Sequence, residues 1–208
     1  MKIDIVNIKG ESVGRSIELP ENIFGIEPND HAIYLNVKQF LANQRQGTHK
    51  SKERNEVAGS TRKLHKQKGT GGSRKGDIKN PLYRGGGRIF GPRPRNYNVF
   101  LNKKLKDLAR RSAMSYKATE GQIIIVEDFT FDTPKTKEFL SILKALKLDN
   151  SKVLFVTNEL DKNVYLSSRN LRKSKVTEVS NLNTYDVLNA NTLIISEKSI
   201  EKLSQVEA

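Results

Sequence analysis

The chain has no cysteine among its 208 residues. That one absence removes disulfides, thiolate-bound zinc, iron–sulfur ligation and thiol catalysis, and it makes the cytoplasm the expected compartment. Histidine is nearly absent too. His31, His49 and His65 lie 18 and 16 residues apart, so no two of them share a helix face as a ligand pair, and no metal is expected. There is no run of 18 apolar residues, and the opening MKIDIVNIKG has neither a signal-peptide core nor an Arg/Ser-rich transit character. No membrane partner is expected. The carboxylates are scattered, and no acid–base pair stands beside a candidate nucleophile, so the chain is not expected to be an enzyme. Phosphate-loop patterns fail as well: a GxGxxG run from Gly69 meets Arg74, and a Walker pattern from Gly71 meets Asp77. No cofactor is expected.

What the chain does have is positive charge, +14 overall, and most of it sits in one place. Residues 43–100 carry 15 Lys or Arg against three acids, Glu53, Glu56 and Asp77. The rest of the chain holds 22 bases and 20 acids and is nearly neutral. The same stretch takes 10 of the 14 glycines, and only 11 of its 58 residues are apolar or aromatic. So few apolar groups cannot offset the entropy of ordering the stretch. An outside partner must order it, and its charge makes that partner an extended polyanion.

The remaining residues read as one α/β domain over 1–208, with 43–100 inserted in its N-terminal half as a long, basic, extended loop. Ile3, Ile5 and Ile8, then Val13, Ile17 and Leu19, flank the turn KGES as a strand pair. Asp30 is placed to cap a helix with Ile33, Val37, Phe40 and Leu41 inward, ending near Gly47. Asn102 caps the next, whose inner face is Leu105, Leu108, Ala109, Ser112, Ala113 and Tyr116 and whose opposite face is Lys103, Lys104, Lys106, Arg110 and Arg111. Beyond residue 121, apolar strands at 122–126, 153–157, 176–179 and 193–195 alternate with helices. The first of those helices opens at Thr133–Pro134 with Phe139, Leu140, Leu143 and Leu146 inward. Fully apolar strands alternating with helices predict a mostly parallel sheet with helices on both faces, a three-layer α/β/α arrangement.

The candidate RNA-binding residues are Arg45, His49, Lys50, Lys52, Arg54, Arg62, Lys63, Lys66, Lys68, Arg74, Lys75, Lys79, Tyr83, Arg84, Arg88, Phe90, Arg93 and Arg95, with Lys103 and Lys104 on the following helix. Guanidinium groups fork onto phosphates and stack on bases. Pro92 and Pro94 stiffen the segment that presents Arg93 and Arg95. Tyr83, Phe90 and Tyr97 recur every seven residues among these cations. Two roles are open to them: stacking on unpaired bases, or anchoring the loop to protein.

The runs RQGTHKSKERNEV and KQKGTGGSRKGDIKNPLYRGGGRIFGPRPR, followed by the helix start NKKL, resemble the bacterial form of ribosomal protein four of the large subunit, the L-four family. The resemblance is densest over residues 45–105, and the α/β pattern and length fit throughout. It implies a protein that binds large-subunit rRNA early in assembly, beside neighbouring ribosomal proteins. It also implies that the loop tip, here Lys66, Gln67, Lys68, Gly69 and Thr70, lines the exit tunnel and meets the nascent polypeptide. The chain departs from the family pattern at Leu64 and His65, where Pro and an aromatic are common, and at Gly72 and Ser73, where Arg-Ala is common. Two other classes fit a basic α/β protein. One is a free RNA-binding regulator, and the resemblance allows repression of its own messenger. The other is an RNA-modifying enzyme, which needs a cofactor crevice at the strand ends, where the sequence offers no glycine motif or acid cluster.

Overall fold

The computed structural model describes residues 1–159 and 161–206. The chain groups into two compact units: Met1–Leu41 with the segment from Phe100 onward, and Ala42–Val99.

The first unit is built on a six-stranded mixed sheet. Strands β1 (Lys2–Val6) and β2 (Ser12–Glu18) form the expected antiparallel pair, with Ile3 opposite Ile17. Its turn is tied by Asn7, whose Oδ1 accepts from the Lys9 and Glu11 amides at 2.8 and 3.0 Å. After helices α1 (Glu21–Phe24), α2 (Asp30–Asn43) and α3 (Lys103–Thr119), the pattern alternates. It runs β3 (Ile123–Val126), α4 (Thr136–Ala145), β4 (Val153–Thr157), α5 (Lys162–Ser168) and β5 (Ser174–Glu178). A 3-10 turn (Val179–Asn181), α6 (Thr184–Asn189), β6 (Thr192–Ser196) and α7 (Glu197–Val206) complete it. The strand order is β2-β1-β3-β6-β4-β5, and every pairing except β1 with β2 is parallel.

Side chains alternate along each central strand between two apolar clusters, as the two-residue period of a strand requires. Ile123, Ile125, Leu193 and Ile195 join Met114 of α3, Val187 of α6 and Leu203 of α7. Val126, Phe155, Val176 and Ile194 join Phe139 and Leu143 of α4 and Val164 of α5. Strands covered in this way are apolar at successive positions, which is why the sequence shows continuous runs.

Local expectations are corrected in three helices. Asn29, not Asp30, caps α2: its Oδ1 accepts from the Ala32 amide at 2.9 Å, while Asp30 accepts from the Tyr116 hydroxyl at 2.6 Å. The inner line of α2 is Ala32, Asn36 and Gln39; Ala32 and Gln39 are buried, and Leu41 is 45% exposed. Asn36 donates to Thr184 Oγ1 at 2.9 Å, so polar contacts share the inner side with the expected apolar residues, of which Ile33, Val37 and Phe40 are half-buried and Phe40 stacks on Tyr185 at 5.0 Å. Helix α4 starts at Thr136 with Lys135 at the cap position. In the non-helical segment before it, Asn163 Nδ2 donates to the Phe131 and Asp132 carbonyls at 2.7 and 3.2 Å. Asn102 holds the cap position of α3 but caps with its carbonyl, which accepts from the Leu105 amide at 3.1 Å, and not with its side chain. The buried face of α3 is also wider than expected and includes Met114, Ser115 and Lys117.

Candidate nucleic-acid interface

The second unit contains no helix or strand between residues 44 and 99, yet its backbone is paired across two limbs. The Arg95 amide donates to the Gly47 carbonyl at 3.1 Å, Ser51 to Pro92 at 3.0 Å, Arg88 to Lys52 at 2.9 Å and Leu64 to Gly76 at 3.0 Å. The paired numbers converge on residue 70, so the chain goes out and returns alongside itself. Asn43 clasps the start of the unit to its end: its side chain accepts from the Val99 amide at 2.9 Å and donates to the Val99 carbonyl at 3.4 Å. Glycine permits the closest approaches. Gly47 sits at φ 69°, and a Cβ there would stand 2.1 Å from the Arg95 carbonyl oxygen.

All three acids of the unit pair inside it. Glu56 binds Lys50, Glu53 binds Arg93, and Asp77, which is buried, lies 3.0 Å from Arg54. The hydrogen bond from Lys50 holds the Glu56 carboxyl below its usual range, helped by the Glu53 amide. The Glu53–Arg93 and Arg54–Asp77 pairs join the two limbs, Lys50 and Glu56 pair within one of them, and most of the unit's cations face outward. Arg45, His49, Lys50, Lys52, Arg54, Arg62, Lys63, Lys66, Lys68, Arg74, Arg84, Arg88, Arg93 and Arg95 are exposed; Lys75 and Lys79 are half-buried. Lys66, Gln67, Lys68, Gly69 and Thr70 are exposed within the turn closed by the Leu64–Gly76 bond, and Gln67 accepts from Lys63.

The three aromatics separate. The Arg45 and Arg95 guanidinium groups both lie over the Tyr97 ring, 3.8 and 4.7 Å from its centre, and its hydroxyl is 3.3 Å from His49 Nε2. Arg95, and then Arg45, hold its phenol below the usual value. Tyr83 is half-buried, with Lys75 Nζ 5.5 Å from its ring centre. Phe90 is fully exposed. In the first unit, Lys103 and Lys104 are exposed at the start of α3. Lys106, Arg110 and Arg111 are half-buried, and Arg110 donates to the Leu182 carbonyl at 3.4 Å and to Asp107 at 3.1 Å, which makes it a packing residue.

The sequence reading missed two constellations. The Arg45–Tyr97–Arg95 stack joins residues 50 positions apart, and only the cross-limb pairing reveals it. Asp128, Glu159 and Asp161, scattered in sequence, converge with Phe129 and Phe155 in a cleft of about 410 Å³ at the carboxyl ends of β3, β4 and β6. Lys198 lies 3.7 Å from Asp128. A crevice does stand at the strand ends, but its carboxylates repel a phosphate-bearing cofactor. Among the described residues no three His, Cys, Asp or Glu side chains, those of this cleft included, are placed to hold one metal ion.

Comparison with known proteins gives a concordant result. The family model described as the ribosomal protein L4/L1 family matches residues 17–206. A large ribosomal subunit protein uL4 from Phocaeicola vulgatus is 60% identical over 206 residues, 99% of each chain. The proteins of that description from Bacteroides fragilis and Porphyromonas gingivalis are 57% and 58% identical over 206 residues, again 99% of each chain.

Proposed function

The chain belongs to the ribosomal protein L4/L1 family, and from this premise we infer that it is a non-enzymatic, structural constituent of the large ribosomal subunit, binding its rRNA in the cytoplasm. Identity along nearly the whole length of large-subunit proteins carries the reading. The distribution of charge supports it: in a two-limbed unit of 15 cations the three acids form internal pairs and most of the cations are exposed.

The first unit reads as a three-layer α/β/α domain, and the second as a loop inserted in it that runs between closely packed rRNA phosphates. Its outward arginines and lysines neutralise those phosphates, with Lys103 and Lys104 extending the contact. The turn at residues 66–70 reaches the exit tunnel and meets the nascent chain there. Neighbouring ribosomal proteins complete the surroundings.

If roughly eight of these cations meet phosphates, binding of the isolated protein to rRNA falls with salt at a log–log slope of about −6. The direct test is sedimentation of the tagged protein from native lysate. Co-migration with the large subunit at one copy per particle is expected, and Arg93→Ala with Arg95→Ala reduces incorporation. A protein that stays at the top of the gradient overturns the assignment.

A further inference from the structure

Phosphate contacts position a protein on RNA, whereas contacts to bases tell one site from another. Phe90 is the side chain placed to touch a base. Its ring is wholly exposed, and its backbone sits at φ 53°, a region a bulky residue occupies only where its surroundings hold it. Those surroundings are two cross-limb bonds, Arg88 to Lys52 and Ser51 to Pro92, which clamp the chain on either side and leave Ile89 and Phe90 bulging outward. Gly91 seals the clamp, since a Cβ there would stand 2.5 Å from Ser51 Cβ. Ile89 is itself 57% exposed, so the knuckle presents apolar surface that the unit does not bury.

Cations surround this surface. Phe90 borders two open clefts of about 660 and 380 Å³; Arg54, Arg88 and Arg93 line the first with Glu53, whose carboxylate is paired with Arg93, and His49, Arg93 and Arg95 line the second. A flat apolar ring between arginine-lined clefts suits a nucleotide, whose base is planar and apolar on its face and whose phosphates are anionic. An apolar protein surface would instead desolvate those cations without compensating them. A regular duplex keeps its bases stacked inside and would meet only the arginines.

We propose that Phe90 is the stacking platform for one unpaired nucleotide of the RNA, with the base on the Phe90 ring beside Ile89 and the adjacent phosphate on Arg88. This rests on the rRNA-binding reading above. Tyr97 and Tyr83 are not equivalent platforms. Arg45 and Arg95 already cover the Tyr97 ring, and Tyr83 is half-buried.

The chain has no tryptophan, so Phe90→Trp supplies a single fluorescent reporter. The full-length variant is titrated with a single-stranded oligouridylate, with an RNA duplex of the same length and with deproteinised large-subunit rRNA. Quenching by the single strand and the rRNA, but not by the duplex, is expected. Phe90→Ala weakens single-strand binding roughly 5- to 150-fold, the range that base–aromatic stacking supports, and leaves both the salt slope and duplex binding unchanged. Binding without quenching, or a Phe90→Ala variant that binds the single strand as tightly as the parent, overturns the platform and leaves the rRNA-binding reading standing. Quenching only in assembled particles assigns the ring to a protein neighbour and also overturns it. Failure of the parent chain to bind any of the three RNAs overturns both readings.

Discussion

Gly47 and Lys117 each occupy a place that only particular chemistry tolerates. At Gly47 the positive φ and the 2.1 Å approach to the Arg95 carbonyl act together, because a side chain there is strained and also drives the limbs apart. Gly47→Ala is expected to break the Arg95–Gly47 hydrogen bond and release the Tyr97 stack. The readout is hydrogen exchange of the rRNA-bound protein: protection of the Arg95 and Ser51 amides falls by ten-fold or more, roughly the 1–3 kcal/mol of a strained backbone position. Amides in β3 and β6 keep theirs. Lys117 is 7% exposed, with its ammonium donating to Gln122 Oε1 at 2.6 Å and to the Asn191 carbonyl at 3.3 Å. Neither acceptor is charged, and burial lowers its pKa below the ordinary 10.5. While both folded and unfolded states hold the proton, the buried charge costs stability. As pH rises from the lowered folded value towards 10.5, the folded state sheds its proton first and stability increases. Urea denaturation of the parent is expected to show that rise on the alkaline side of neutrality, and Lys117→Met to flatten it. The comparison belongs below about pH 10, because Asp30 raises the pKa of Tyr116, and loss of that phenolic proton acts in the opposite direction at higher pH.

At the scale of elements, legibility follows the strength of the local signal. The strand at 153–157 coincides with β4 because the run VLFVT is short and rich in β-branched and aromatic residues, which separates a buried strand from a buried helix. Asp161 and Asn183 cap α5 and α6 as their residue types announce, accepting from the Asn163 and Asp186 amides at 2.8 Å each. Where a distant partner decides, the sequence reading slips. Thr133–Pro134 carries a good start signal, but Asn163 engages the carbonyls before it and α4 begins at Thr136. Helix α2 hides part of its inner face because that part bonds through Asn36 and packs through Ala32 and Gln39, which an apolar period of 3.6 does not mark. In the cationic unit, composition betrayed the partner class but not the geometry. Nothing local in Arg45, Tyr97 or Phe90 says which ring is covered and which is bare; that depends on limb pairing across 50 residues. The acid cleft escaped for the same reason, since Asp128 and Glu159 meet only once β3 and β4 flank β6.

Taken whole, the molecule separates stability from recognition along its chain. Every buried apolar side chain of the described core lies outside residues 42–99, while 15 of the 37 cations lie inside that span. Hydrophobic burial dominates folding and is roughly proportional to area, so the first unit holds the terms that stabilise it, and the second adds charge repulsion and few apolar contacts. Replacing residues 48–95 by a short Gly/Ser linker therefore removes no core contact. Asn43 and Val99 remain to join the two ends. The shortened chain is expected to unfold cooperatively, with a midpoint within a few degrees of the parent's, because a loop-length change alters closure entropy by only about 0.6 kcal/mol per doubling. Its rRNA affinity collapses, and the salt slope falls from about −6 to about −1 or −2, the residue left by Lys103 and Lys104. Calorimetry and a salt titration on one preparation decide the matter. A large loss of thermal stability places part of the core's support in the excised unit. An undiminished salt slope moves the phosphate contacts onto the α/β body.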